Sequence, residues 1–461
     1  MRIITLTPAF LSLCLASCMV GPDFSTPRPE MPPSWEAARP PASDKDNLAQ
    51  WWTIFRDPQL NSLVRQALQS NLDLQTAVIR IVESRAALVS AEAPLLPSLD
   101  SSLGNTRGST KGLSSTATSS YSGNLDASWE LDLFGGNRRS AEAALADLYS
   151  TEADAISIKT SLLAEIATNY FDWISYSEQL KLSQEQLALQ VKSLQIAEEQ
   201  FNVGDTSELD VEQARAQVAN TRASIPALQT QLVNMKNSIA ILLGTFPGNV
   251  KLTLPSREVS SRLPSIPVGL PSELLRRRPD IIKAEFDLHS AVARIGVAVS
   301  DLYPKFSLSG GLSTGGSGDF SNWFRSNSSN WSLGGMVRWP IFSGYSIEAN
   351  IKMKEAAADA SAIAYQKALI TAVNEVENAL TSYANSKIQL KHLEDAAESS
   401  KNAANLSRTL YSAGETEFIN VISAQSQELS SKEAVISTRQ RIRQSVAQLA
   451  KALGGGWNAP R

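Results

Sequence analysis

Along most of the chain, apolar residues return every three or four positions. Leu180, Leu187, Leu194 and Phe201 are seven apart, and Ile225, Leu228, Leu232, Met235, Ile239 and Leu242 alternate steps of three and four. Val373, Val376, Leu380 and Tyr383, then Ile442, Val446, Leu449 and Leu453, repeat that spacing. This period places a stripe on one side of a helix, as in a coiled coil, though an amphipathic helix of a soluble bundle shares it. Length separates the two readings. A helix from about Ser140 to Phe201 reaches roughly 90 Å at 1.5 Å per residue, beyond the helices of globular domains, and predicts a tube or a rod.

Four short segments have period two instead. From Asn124 to Leu133, Leu125, Ala127, Trp129, Leu131 and Leu133 fall on one face, and Asn124, Asp126, Ser128, Glu130 and Asp132 on the other. Trp331, Leu333, Val337, Trp339 and Ile341 alternate with Ser332, Met336 and Arg338. Phe306, Leu308 and Leu312 alternate with Ser307, Ser309 and Ser313, and Leu99 and Leu103 give a weaker version. The pattern suits a half-buried strand of a sandwich and equally a membrane-barrel strand with lipid on one side and water on the other. Four strands beside such long helices favour the membrane. They do not close a barrel, since single-chain barrels start at about eight strands and open edges are not tolerated in lipid. The chain must therefore oligomerise, and geometry leaves a dimer and a trimer both open.

The pattern also runs twice. Asp73, Ala77, Ala91 and Pro97 match Asp280, Ala284, Ala298 and Pro304 at an offset of 207, while Trp129, Phe201, Gly204, Thr206, Val211 and Leu243-Gly244 match Trp339, Tyr411, Gly414, Thr416, Val421 and Leu453-Gly454 at 210. A shared order at a near-constant offset is the mark of an internal repeat. The expected fold is mixed α/β: long coiled-coil helices plus an antiparallel barrel built from four strands per chain, in two repeats. The first repeat covers 57–256, with a strand pair at about 97–133 and a hairpin tip at 201–210. The second covers 257–457, with a strand pair at about 304–341 and a tip at 411–420, before a tail at 458–461.

The N-terminus sets the compartment. Arg2 precedes an apolar run from Ile3 to Leu15 that is too short for the roughly 20 residues of a membrane span, so residues 1–17 read as a signal peptide. Cys14 leaves with it. A single cysteine, Cys18, then remains, and with His289 and His392 each in a polar helical context that reads as surface, a disulfide scaffold or a metal centre is not expected. A net charge of −4 over 461 residues, with no basic stripe, argues against nucleic acid. The prolines between Pro22 and Pro41 make residues 18–56 an extended strap.

Two motifs invite chemistry. Gly311-Leu-Ser-Thr-Gly315 fits a nucleophile elbow, yet it leads from a strand into a Gly/Ser segment with no helix start, and no phosphate-binding G-x-x-x-x-G-K-[ST] loop occurs, so no enzyme is expected and energy must come from a partner. Asp126, Glu130 and Asp132 form an acidic comb. It reads either as part of a cation-favouring ring around a lumen or, for Glu130 and Asp132, as a brace at the junction of barrel and helices, with Arg138 and Arg139 close by to pair with them.

Taken together, Cys18-Met-Val-Gly-Pro-Asp-Phe24, Trp51-Trp52, Phe55, Asp57-Pro58, Leu60, Trp129-Glu-Leu-Asp-Leu-Phe-Gly135, Gly269-Leu-Pro-Ser-Glu-Leu-Leu-Arg-Arg-Arg-Pro-Asp-Ile281 and Leu453-Gly-Gly-Gly-Trp457 resemble the TolC-like outer membrane factors. The similarity is to the NodT-type lipoproteins that serve resistance-nodulation-division pumps. Leu15-Ala-Ser-Cys18 is similar to a lipobox, which implies acylation of Cys18 and no other cofactor; Met19 in second position implies sorting to the Gram-negative outer membrane. The resemblance further implies a homotrimer with a twelve-stranded barrel, a periplasmic helical tunnel, and passive efflux of drugs or other small toxic compounds. Metal-ion export, type I protein secretion and a lipid-tethered scaffold are the alternatives. Partners implied are a periplasmic adaptor and an inner-membrane pump. The adaptor would meet tip residues Gly204, Asp205, Thr206, Gly414, Glu415 and Thr416. The gate would lie around Tyr411, Ile419, Ser423 and Ser426, where the uncharged Ser423 and Ser426 replace the aspartate and arginine of many relatives.

Overall fold

The computed structural model describes residues 19–27, 29–37, 45–109, 117–256, 263–264, 268, 270–317, 323 and 329–458. Cys18 and the signal segment lie outside them, as do the middles of the Gly/Ser-rich stretches Asn105–Ser120 and Gly315–Asn330 and part of the strap. A 3-10 helix, Lys45–Phe55, leads into α1 (Pro58–Ser70) and α2 (Leu72–Glu92). Strands β1 (Ser98–Gly108) and β2 (Thr118–Leu131) precede α3 (Gly136–Asn202) and α4 (Glu208–Leu242). Then α5 (Pro279–Ser300), β3 (Lys305–Ser317), β4 (Ser329–Arg338), α6 (Ser346–Ser412) and α7 (Phe418–Ala452) follow in the same order. Helices α3 and α6 each have 67 residues, and α4 and α7 each have 35. At 1.5 Å per residue the longer pair extends about 100 Å.

The chain forms two compact units. One comprises Met1–Pro29, Ile79–Glu152 and Lys283–Lys367 and holds the sheet; the other comprises Glu30–Val78, Ala153–Ile282 and Ala368–Arg461. The sheet is antiparallel in the order β1-β2-β3-β4. Its strands reach farther into the Gly/Ser segments than alternation alone predicts. At the other end they stop sooner: Leu133, Trp339 and Ile341 lie beyond the last paired residues.

In the second unit the core gathers Trp51, Leu60, Leu163, Ile166, Tyr170, Leu274, Ile281, Leu380 and Ile442, all at most 1% exposed. Each leucine and isoleucine among them contributes about 1.5–3 kcal/mol on leaving water. Asp57 caps α1 by accepting the amides of Gln59 (2.8 Å) and Leu60 (3.2 Å), and its other oxygen takes the Tyr170 hydroxyl at 2.8 Å. Arg278 is buried among Asp280 (2.6 Å), Glu375 (2.7 Å) and the Ala452 carbonyl (3.0 Å). Burial works against its charge, and these acceptors outweigh that, raising its pKa.

The helical seam differs from the leucine stripe. Leu180, Leu187 and Leu194 are only half-buried and Phe201 is exposed, whereas Ser183, Gln186, Gln190, Ser193 and Ala197 are buried. Their counterparts on α7 are Phe418, Val421, Gln425, Glu428, Ser431, Val435, Thr438 and Ile442. Gln425 donates to the Ser193 hydroxyl at 3.2 Å in this seam. Residues one position apart on a helix differ by about 100° in direction, so Gln186 and Ser193 face the seam while Leu187 and Leu194 stand beside it.

Candidate channel wall and helical tips

Register determines which side chains share a face of the sheet. The row Ser101–Leu125–Leu312–Trp331 lies on one face, as do Leu99–Ala127–Gly310–Leu333 and Leu131–Phe306–Val337. The opposite face carries Ser102–Asn124–Ser313–Asn330 and Ser98–Ser128–Ser309–Gly334. One face is therefore predominantly apolar, and the other carries hydroxyl, amide and glycine positions together with the charged residues Asp100, Asp126, Glu130, Lys305 and Arg338.

Aromatic residues mark both ends of the apolar face. Tyr121 stacks with Trp323 at 6.3 Å between ring centres. At the other end the Trp129 indole donates to the Leu95 carbonyl at 3.1 Å, the Trp339 indole to Leu302 at 3.0 Å, and Phe134 stacks with Tyr303 at 4.6 Å. Tyr121 and Trp129 are separated by about 26 Å of strand at ~3.3 Å per residue, close to the ~25 Å apolar band of an outer-membrane barrel with its aromatic girdles.

The helix turns are closed by backbone. Gly204 (φ 85°) and Gly414 (φ 76°) occupy the left-handed region at the ends of α3 and α6. Asp205 N–H reaches the Gln200 carbonyl at 2.9 Å and Glu415 N–H reaches Leu410 at 2.9 Å, a Schellman closure that favours glycine. The Thr206 hydroxyl donates to Asp210, and the Asn420 amide donates to Thr416 at 2.9 Å, so each threonine braces the start of the next helix. Asp205 and Glu415 are exposed.

The sequence pattern of the family described as outer membrane efflux protein matches residues 63–245 and 270–455. The chain is 31% identical to Nodulation protein T of Rhizobium leguminosarum bv. trifolii, over 99% of this chain and 98% of that one. It is 32% identical to the pyoverdine export outer membrane protein OpmQ of Pseudomonas aeruginosa, covering 98% of both. Among solved structures, the outer-membrane channel OprN superposes with a TM-score of 0.86 at 33% identity, covering 95% of this chain and 100% of that one. The chain belongs to the outer membrane efflux protein family.

It is the outer-membrane channel of an efflux system, with a large periplasmic helical portion. Within this efflux channel the site residues read from sequence separate into groups. Asp126 and Glu130 share the polar face of the sheet, in different rows, facing Gly311 and Ser307. Asp132 lies past the end of β2. It accepts the Asn137 (3.2 Å) and Arg138 (2.9 Å) amides and pairs with the Arg138 guanidinium at 3.2 Å, capping α3 as a brace. Sequence reasoning passed over Asp100, which sits directly opposite Asp126. The signal was present, between Leu99 and Leu103 in the weakest of the alternating segments.

Tyr411 is 7% exposed and belongs to the packed tip cluster of Ala197, Val211, Ala214, Phe418 and Val421, with its ring 5.0 Å from Phe418. Burial raises its pKa. Ile419, Ser423 and Ser426 instead share an open face of α7. Ser313 of the elbow-like motif lies inside β3, opposite Asn124 and Asn330, without the strand-to-helix turn that activates such a serine.

His392 is exposed, as expected from its polar setting, but His289 is not a plain surface residue. Its ring stacks on Phe24 at 4.3 Å and its Nε2 lies 3.0 Å from Glu142. The aromatic partner comes from the strap, and local sequence does not reveal it. Cys18 lies outside the described residues.

Proposed function

We propose that three copies of this chain close a twelve-stranded barrel that opens into a helical periplasmic tunnel, and that an adaptor and an inner-membrane pump of the resistance-nodulation-division type complete the pump. The observation that carries this is the sheet itself: four strands in simple order, apolar on one face, with β1 and β4 each lacking an outer partner strand among the described residues. Such edges need neighbours in lipid. The equal lengths of α3 and α6 and of α4 and α7 support an internal duplication. The half-buried stripe of Leu180, Leu187 and Leu194 supports packing against a neighbouring copy.

The channel is a passive duct that transports small organic toxic compounds and needs no cofactor beyond the lipid on Cys18. Relatives that export pyoverdine and solvents support an organic cargo, while a cation efflux system protein among them keeps metal-ion export as the second reading. The exposed tips around Asp205 and Glu415 receive the adaptor. Asp126 and Glu130, tripled, give the barrel an acidic lining. Ile419, Ser423 and Ser426 form an uncharged constriction.

Native mass spectrometry of the detergent-solubilised protein, combined with planar-bilayer conductance, tests the assembly. A trimer that conducts is expected, and a monomer or a non-conducting oligomer overturns the reading. The constriction is tested by Ser423→Asp, which adds a carboxylate able to latch the closed state. Conductance of this variant equal to or above wild type overturns the uncharged gate.

A further inference from the structure

The segment that follows Cys18 is tied to the first unit through a few specific contacts, although most of its residues stay exposed. The Val20 amide donates to the Phe134 carbonyl at 3.1 Å, just past the end of β2. Gly21 lies so close to α5 that a Cβ there would stand 2.5 Å from the Gly296 Cα, and a Cβ on Gly135 would stand 2.7 Å from the Met19 side chain. Into this groove α3 sends Arg139, whose side chain is 1% exposed. Its guanidinium reaches the Val20 carbonyl (3.3 Å), the Gly21 carbonyl (3.5 Å), the Asp23 carboxylate (2.6 Å) and Glu142 (2.8 Å).

Glu142 in turn meets His289 at 3.0 Å, and His289 stacks on Phe24 with ring planes 10° apart. Contacts therefore run in a closed ring from Asp23 through Arg139, Glu142 and His289 to Phe24, which adjoins Asp23 in the chain. Burial opposes the charge on Glu142, yet the bonds from His289 and Arg139 hold its carboxyl below the usual range, so the ring keeps a charged acceptor. Three of the four Arg139 acceptors belong to the strap. Without the strap, Arg139 would keep only Glu142 of these four acceptors, so the strap supplies most of its hydrogen bonds.

We propose that this groove is a seat for the acylated N-terminus, with Arg139 as its lock, which fixes the lipid anchor to the foot of the barrel. Met19 rests on Gly135, and Cys18 is one peptide bond upstream. Met19 and Val20 lie against Gly135 and Phe134, so an anchor attached one residue upstream starts beside the end of the sheet that carries Trp129 and the Phe134–Tyr303 stack. The anchor is then a registered part of the channel rather than a lipid on a loose tether. Arg139 and His289 act as positioning residues for the anchor and touch no cargo. The inference rests on lipidation of Cys18.

Hydrogen exchange on the full-length, membrane-extracted protein tests the seat, with mass analysis of its N-terminal peptide as a parallel readout of acylation. In the wild type, the Val20 amide, bonded to the Phe134 carbonyl, should be protected and the peptide should carry acyl mass. Asp23→Ala and Arg139→Gln should each accelerate that exchange by about tenfold or more while peptides at the helical tips keep theirs. Because Arg139→Gln removes the cation that Asp23 and Glu142 share and so risks misfolding, Phe24→Ala is the second variant; it leaves the cation paired and removes only the stacked face of His289. Arg139→Lys should recover protection in part. An acylated wild-type peptide that exchanges at the free-chain rate overturns the seat. A protected peptide without acyl mass overturns lipidation and leaves the seat standing as a purely structural clamp.

Discussion

The sheet and the helical seam solve opposite problems with the same side chains. In the sheet, leucine and tryptophan stand on an open face and serine, glycine and asparagine on the other, the arrangement of a wall with lipid on one side and water on the other. In the seam between α3 and α7, the covered positions include Gln186, Gln190, Ser193, Gln425 and Glu428, while Leu187 and Leu194 are left half-covered. Hydrophobicity is thus spent outward in one region and held back from the inside in the other. The lesson is that the solvent around each element, lipid, water or a neighbouring helix, decides what its polar residues do.

Reversing the polarity of the sheet should produce the largest effect. Leu312 lies mid-strand on the apolar face, and Leu312→Arg should cost about 2–4 kcal/mol in lipid, measured as loss of bilayer-inserted, heat-resistant oligomer. Ser313→Arg, one residue away on the polar face, should insert normally and alter ion selectivity. Equal damage from both would break the assignment of faces.

The seam predicts a smaller effect of opposite sign. Neither polar atom of the buried Gln190 side chain finds a partner among the described residues. Gln190→Leu should therefore stabilise the helical unit by about 1–3 kcal/mol, raising the midpoint of thermal or denaturant unfolding. A destabilised variant would show instead that the polar seam supports a contact not seen within one chain.

At the tips, Gly204→Ala should cost about 1–2 kcal/mol, because an added Cβ meets no neighbouring atom but is strained at φ 85°. Circular dichroism melting of the variant checks this, and an unchanged melt would mean the tip adopts another conformation in solution.

The smallest effect is a pH slope. Burial raises the pKa of Asp172 on α3, while hydrogen bonds donated by the side-chain amides of Gln440 (2.5 Å) and Gln444 pull it the other way. A raised carboxyl binds its proton more tightly in the folded protein than in the unfolded chain. Its contribution to stability is thus fullest in acid and declines as pH rises from the ordinary carboxylate range through the raised value. Asp172→Asn keeps an acceptor oxygen for both glutamines. It should flatten that slope and melt no lower than wild type at pH 7; a steeper slope in the variant would contradict the direction of the shift.

Much of the fold was legible because its signals are local. Period two around Trp129 and Trp331 marked the strands, and Gly204 and Gly414 marked the turns. The misses share a cause: they depend on residues distant in sequence. Leu133, Trp339 and Ile341 continue the alternation after pairing has ended, because strand ends are set by the partner strand. Asp132 reads like its neighbours Asp126 and Glu130 until the start of α3 folds back on it. His289 reads as surface until Phe24 covers it.

By itself, then, the sequence determined the element types, their doubled order and the excess of apolar side chains that no single chain can cover. These follow from steric and hydrophobic periodicity over a few turns or strands. Only the tertiary structure decided which helix faces form the seam, which carboxylates face one another across strands, and that a buried arginine holds the residues after Cys18. Those outcomes turn on pairing, register and desolvation, which exist only once distant segments meet.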